Sequence, residues 1–476
     1  MIDPHPLRWG LAVLAAMIAA PCMAATQQPP AQAAPSINLI RDGACQGAST
    51  LSGSGLDGVG PGDVAWLPWT VGDGPFRLHA TIVLERFATE GAGLAIAGGI
   101  LGLDDPEHDV VPRGGRFGPP APLAELRAVP ARPGVPIQFV AQWDGKKLRL
   151  STDGVEVGSI ALDAAHGRIG IAGPSAAIRV IECTIDGPVH RVPVPTIVFS
   201  AADGPIDEHR DPVAAAGPDS IEIVALAVTT RDDGTLDHAI RRRSLRSGTL
   251  GPAMPIDVGG IEPGRATIGH DGSGWVLLVQ PMSKDLLATS VEVFTSRDTI
   301  AWKHAGTIDA GAAPVRLMAV GMRKHGADAL EAAATRVVDG SPRACVVRGS
   351  GASWSIHDLT TTPSCDPVWA GVDQASIRVP RLPQRWVTPG DRAVPCPSTA
   401  QPFWVGASGG SYVTAQGPRN DRLVVASAGD GSIDWVAWDG PVGSVCGASL
   451  GNRTWAIFEG GVRAPREHVL LMQLPE

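Results

Sequence analysis

Tyrosine is almost missing from this chain: Tyr412 stands alone among 476 residues, beside 13 tryptophans and 8 phenylalanines. Chemistry that depends on a phenol has one residue to draw on. Charge is sparse as well, at 18% of residues, and a net charge of −9 comes without a basic patch. That balance argues against nucleic acid and against a polybasic membrane surface. Past the leader described below, no stretch reaches about 18 apolar residues, so no membrane span is expected. There is no Gly-x-Ser-x-Gly elbow, no His-Glu-x-x-His, no Cys-x-x-Cys and no phosphate-binding loop, and the 12 histidines are scattered singly. No metal or cofactor is therefore expected.

What is abundant is turn material: 58 glycines and 42 prolines. Many short strands suit that composition better than long helices. The length calls for two or three cores. Residues 1–25 read as an export signal, with Arg8 ahead of the apolar run 11–20 and small residues around 22–25 for cleavage. The expected location is the periplasm or the exterior. Six cysteines then remain, Cys45, Cys183, Cys345, Cys365, Cys396 and Cys446. An even number in an exported chain predicts disulfides. Cys45 and Cys183 bracket the first domain and could tie its first strand to its last; pairing among the other four stays open.

Residues 26–36 form a Pro/Ala linker, and residues 37–187 read as strands and turns. Phe76, Leu78, Ala80, Ile82 and Leu84 alternate with Arg77, His79, Thr81, Val83 and Glu85, the pattern of a half-buried strand. Further on, Asp144-Gly145 and Asp153-Gly154 punctuate three runs, 137–143, 148–151 and 155–160, as hairpin turns do. The sequences TVGDGPFRLHATIVLE and QWDGKKLRLSTDGVEVGSI resemble concanavalin-A-like jelly rolls that precede some bacterial sialidases. Residues 188–195 read as a short stiff linker, and 196–476 as one large all-β domain.

Residues 194–244 hold an apolar strand at 197–199, Arg210-Asp211-Pro212, an apolar run at 221–228, Arg231, an Asp-Asp-Gly turn and a basic strand end. This order resembles the opening of the sialidase family. Three segments resemble that family's Asp-box turn: Ser296-Arg297-Asp298 with Trp302, Asp430-Gly431 with Trp435, and Asp271-Gly272 with Trp275. The resemblance implies an all-β chain, a jelly-roll sandwich followed by a six-bladed propeller.

It also implies a site. In the family, arginines hold the substrate carboxylate, because planar guanidinium forks match it bidentately. Arg210, Arg348 and Arg422 fall at those positions, with Arg419 as alternate to Arg422, and Arg231 falls beside the acidic loop. Asp233, with Asp237 as rival, stands for the acid/base, and Glu331, read as preceding a strand, for the supporting carboxylate. The nucleophilic tyrosine known in sialidases has no counterpart: Gly447 occupies its place, ahead of the closing strand 455–459. Binding and bond breaking are separate tasks. The implied function is thus a sialidase-like glycoside hydrolase acting on sialylated or other acidic glycans, its catalysis in question. A non-catalytic glycan-binding protein or an envelope scaffold on the same fold is the alternative.

Overall fold

The computed structural model describes side chains at 67–83 (73 excepted), 94, 96, 134–159, 167–171, 179–200 (194 excepted), 206–359 (285, 327 and 328 excepted), 413, 423–425, 437–438, 442–460 and 468–474. Elsewhere it describes only the backbone of the strands named here. Residues Ser36–Glu476 form one compact unit. Among the described residues every regular element is a strand. Among the described residues no helix is long and apolar enough to cross a membrane.

Two antiparallel sheets occupy the N-terminal part. One runs, in spatial order, Val155–Ala161, Lys147–Thr152, Pro136–Trp143, Phe76–Arg86, Ala177–Asp186, Gly55–Asp57 and Thr50–Ser52. The other runs Val189–Arg191, Val64–Val71, Gly167–Ala172, Ala92–Ile96, Gly99–Asp104 and Val111–Arg116. The anticipated hairpins are present, with Gly145 and Gly154 at φ 98° and 78° where only glycine is unstrained. Asp144 Oδ1 accepts from the N–H groups of Lys146 and Lys147, which closes the first turn. Phe76, Leu78, Ala80 and Ile82 are buried as the alternation requires; Val83 is buried too, near a register shift against the partner strand. The expected linker at 188–195 is in part a strand, because Val189–Arg191 adds to the edge beside Val64–Val71.

The strands from Thr196 onward make six further sheets, each of four or five antiparallel strands taken mostly in chain order. Their inner strands are β1 (Glu208–Ala216), β2 (Pro263–His270), β3 (Val315–Leu317), β4 (Val368–Ala370), β5 (Pro402–Val405) and β6 (Val442–Leu450). The sixth sheet takes its outermost strand from the other end of the chain: Thr196–Ser200 pairs with His468–Gln473. Inner strands of neighbouring sheets touch: β6 on β1, β1 on β2, β2 on β3, β4 on β5 and β5 on β6.

Side-chain alternation explains this arrangement. On β1, Ala214 joins a cluster with Phe199, Cys446, Ile457 and Leu471 of the sixth sheet, while Val213 and Ala215 join one with Ala266, Ile268 and Leu277 of the second. A strand buried on both faces reads as a continuous apolar run, as 221–228 does. Each buried Val or Ile contributes roughly 1.5–3 kcal/mol. Similar clusters join the second sheet to the third and the fifth to the sixth.

Arg168 links the two parts. It is fully buried, and its guanidinium donates to the carbonyls of Leu67 (3.2 Å), Pro193 (2.7 Å) and Ala437 (3.0 Å). Ala437 lies on Ile433–Asp439, in the fifth sheet.

The expected disulfides receive a correction at two positions. Cys345 and Cys446 are buried free thiols, each facing a sheet-to-sheet cluster. Burial pushes the Cys345 thiol up to about 12, with Asp358 adding to the shift and Arg336 opposing it. Cys183 is buried; Cys45, Cys365 and Cys396 lie outside the described residues.

Candidate functional site

Of the residues implied by the resemblance, Glu331 and Arg348 are brought together in one sheet, and Arg231 meets Asp237 elsewhere. Glu331 lies inside Ala329–Val338, not ahead of it, and stands directly opposite Arg348 on Ser341–Ser350. Arg323, unforeseen, stands opposite on the other side. Arg348 Nε donates to Glu331 Oε1 at 2.5 Å, Arg323 Nε donates to Oε2 at 2.8 Å, and His325 Nδ1 sits 3.2 Å from Oε1. Burial pushes the Glu331 carboxyl up, but the two guanidinium groups outweigh it and hold the group below the usual carboxylate range. Both oxygens are occupied and the charge is neutralised within the sheet.

The others lie apart from this pair. Arg210 is on β1, in the first sheet, paired with Glu208. Arg231 and Asp237 pair at 3.0 Å across the exposed end of a hairpin. Asp233 is in the turn itself, where its Oδ1 accepts from Thr235 Oγ1 (2.6 Å) and Thr235 N (2.9 Å). These bonds, the side-chain one foremost, hold its carboxyl below the usual range. A group that must donate a proton at neutral pH needs the opposite shift. The hairpin begins after Thr230, four residues or about 13 Å of strand beyond Leu226, the partner of Arg210. Arg422 begins Arg422–Ser427 and Tyr412 lies on Ser411–Gln416, but their side chains, and Arg419 altogether, fall outside the described residues.

The described inner strands instead assemble a cluster that the sequence did not disclose. On β1 the register shifts between Arg210 and Val213, and within this bulge Asp211 has φ 49°. Its N–H donates to Glu459 Oε1 at 2.5 Å. Ser444 on β6 donates through N to Glu459 Oε2 (3.2 Å) and through Oγ to Asp211 Oδ1 (3.0 Å). Arg265 on β2 brings Nε to 3.6 Å from Asp211 Oδ2 and donates Nη1 to Leu317 O on β3 at 2.9 Å. Four inner-strand levels are thereby fixed, and Arg210, Arg265 and Arg316 lie on three neighbouring strands within one residue of them. Glu459 is buried, whereas the Asp211 and Arg265 side chains keep 19% and 16% of their surface in solvent. Solvent thus reaches the cluster at Asp211 and Arg265, with Glu459 buried.

Glu331 is remote from this level. Leu317 pairs with Ala334, and Glu331 lies three residues back, about 10 Å along the strand, with Arg348 one strand further out. The Asp-box-like turns vary in place. Ser296 and Asp298 do close a turn: Asp298 Oδ1 accepts from Ile300 N (2.9 Å) and Ala301 N (3.0 Å), and Trp302 Nε1 donates to Thr299 O (3.0 Å). Trp354 makes the same bond to Gly351 O at 2.9 Å in the next sheet. Asp271, by contrast, closes the hairpin between a sheet's first two strands, a different position from the turn at Asp298. The Asp430 turn lies outside the described residues. Among those described, no group of three or more His, Cys, Asp or Glu suits a metal ion.

No family model and no curated protein matches the chain. Solved structures that it is similar to include an alpha-L-arabinanase of Penicillium chrysogenum, at 11% identity and TM-score 0.45 over 60% of this chain and 98% of that one. A neuraminidase-like protein from A/bat/Guatemala/164/2009 aligns at 9% identity and TM-score 0.38 over 60% of this chain and 94% of that one. The carbohydrate-binding module CBM66 of Bacillus subtilis aligns at 16% identity and TM-score 0.24, over 33% and 98%.

Proposed function

We propose that this chain is an exported glycan-binding protein, a six-bladed sialidase-like propeller (196–476) behind a jelly-roll domain (37–187), that recognises sialic acid or a related acidic sugar without cleaving it. The propeller reading is supported by six successive meanders and by the pairing of Thr196–Ser200 with the C-terminal strand, which ties the first strand into the last sheet. The observation that carries the function is the cluster of Asp211, Arg265 and Ser444 on three adjacent inner strands, backed by Glu459 on the strand next to β6. The Arg265 guanidinium there suits a sugar carboxylate, and the Asp211 carboxylate suits a sugar hydroxyl.

Among the described residues, none supplies a part that hydrolysis needs. Asp233 is held ionised in an exposed turn, Glu331 is saturated by two arginines, and Gly447 takes the tyrosine's place on β6. The test is to offer the purified chain a fluorogenic sialoside and, in parallel, immobilised glycans ending in sialic, uronic or neutral sugars. Binding to acid-terminated glycans without turnover is expected. Turnover that disappears in Arg265→Ala would make the protein a hydrolase. A folded chain that neither binds nor cleaves would leave the scaffold role.

A further inference from the structure

Six non-glycine residues among those described have positive φ: Asp153, Asp211, Ser247, Leu286, Thr299 and Asp339. Five lie in turns or loops between strands, where the chain must reverse or bend. Asp211 lies inside a strand. The left-handed region costs a residue with a Cβ, aspartate less than most, and the following Pro212 favours extended backbone at Asp211. A glycine would adopt this conformation freely. No reversal of the chain requires it here, since β1 continues to Ala216.

What the conformation achieves is an orientation. It directs the Asp211 N–H into buried Glu459 and leaves the carboxylate between Ser444 Oγ and Arg265. Glu459 in turn is fitted by Gly443, where a Cβ would collide with Oε2. The Asp211 carboxylate has lone pairs beyond those two contacts and remains partly open to solvent. Local strain that the surroundings enforce in a packed sheet is the kind found at functional sites.

We infer that Asp211 is the ligand-contacting carboxylate of this protein and that Glu459 is its positioning residue. Asp211 accepts a hydroxyl of an acidic sugar whose own carboxylate is taken by Arg265. The inference rests on the glycan-binding reading above.

The experiment compares Asp211→Gly, Asp211→Asn and Glu459→Gln for melting temperature and for binding to immobilised sialyl- and uronyl-terminated glycans. Asp211→Gly is expected to melt no lower than the unsubstituted chain and to bind at least tenfold more weakly. Asp211→Asn, which keeps the shape and the Cβ, is expected to lose binding to a similar degree, so the conclusion does not hang on how the glycine variant folds. If Glu459 acts through Asp211, combining Glu459→Gln with Asp211→Gly weakens binding no further than Asp211→Gly alone. Undiminished binding by both Asp211 variants would overturn the inference and leave the glycan reading standing. An unsubstituted chain that binds no glycan would overturn both.

Discussion

Glu331 and Glu459 are both buried glutamates, one in the third sheet and one in the sixth, yet they do opposite things. Glu331 sits in a cross-strand ladder, Arg323, Glu331, Arg348 and Ser355, each directly opposite the next. Its charge is spent on two guanidinium groups of its own sheet. Glu459 accepts from backbone N–H groups of two other strands and holds a strained aspartate partly open to solvent. A carboxylate matched by arginines within one sheet makes a staple; a carboxylate that props up a second carboxylate across sheets makes a site. The two differ in what should fail when each is removed.

The largest effect is expected at the staple. Glu331→Gln leaves Arg323 and Arg348 facing each other without the charge that compensates them. Removing one partner of a buried pair costs about 3–5 kcal/mol, and partial exposure of Arg348 argues for the lower end. Urea unfolding would read it as a lower midpoint at unchanged slope. Because the folded-state carboxyl lies below its usual 4.5, its contribution is fully present above that value and is lost as pH falls through the lower folded value. The stability gap between the two proteins should therefore narrow below about pH 4.5 and stay constant from there to neutrality. Glycan binding should be unaffected at neutral pH. If binding fell tenfold while the variant stayed folded, the staple would belong to the site and the contrast would break.

A pair of glycines sharpens the comparison at intermediate size. A Cβ at Gly443 collides with Glu459 Oε2, and a Cβ at Gly349 collides with Ser353 O and the Trp354 ring, beside Arg348. Overpacking of this kind typically costs about 1–3 kcal/mol. Gly443→Ala and Gly349→Ala should therefore lower stability comparably, but only Gly443→Ala should weaken binding, because it displaces the glutamate that holds Asp211. Equal binding by the two variants would show that Asp211 does not depend on Glu459.

Local chemistry was legible in the sequence, and the meeting of sheets distant along the chain was not. Asp144-Gly145 and Asp153-Gly154 fix hairpins within a few residues, so they could be placed without knowing anything distant. The Ser296 to Trp302 turn is equally local. Asp211 meets Glu459 across 248 residues and Ser444 across 233, a meeting brought about by packing of the sixth sheet on the first. Asp211 stands in the sequence between Arg210 and Pro212, which says nothing of that meeting. The cysteine count misled at Cys345 and Cys446 because parity says nothing of distance: both thiols face apolar clusters inside the sheets. Glu331 and Arg348, read for separate roles, meet because both flank one Asp-Gly hairpin, whereas Arg323 lies on a strand that the hairpin does not include.

The smallest effect is expected where a carboxylate has only local partners. Asp298 is exposed and its bonds go to Ile300 N, Ala301 N and Ser296 Oγ, all within three residues. The two backbone bonds, foremost, hold its carboxyl below the usual range. Asp298→Ala removes them but leaves Ser296 Oγ accepting from Thr299 N and Trp302 Nε1 donating to Thr299 O, so the turn keeps two of its ties. The melting temperature should fall by about 1–2 °C, within the range of ordinary surface substitutions. Binding should be unchanged, because neither Glu331 nor Glu459 draws on this turn. A fall as large as that of Gly443→Ala would mean that the turn, remote from both glutamates in the bonding pattern, governs how the second sheet presents Arg265 to Asp211.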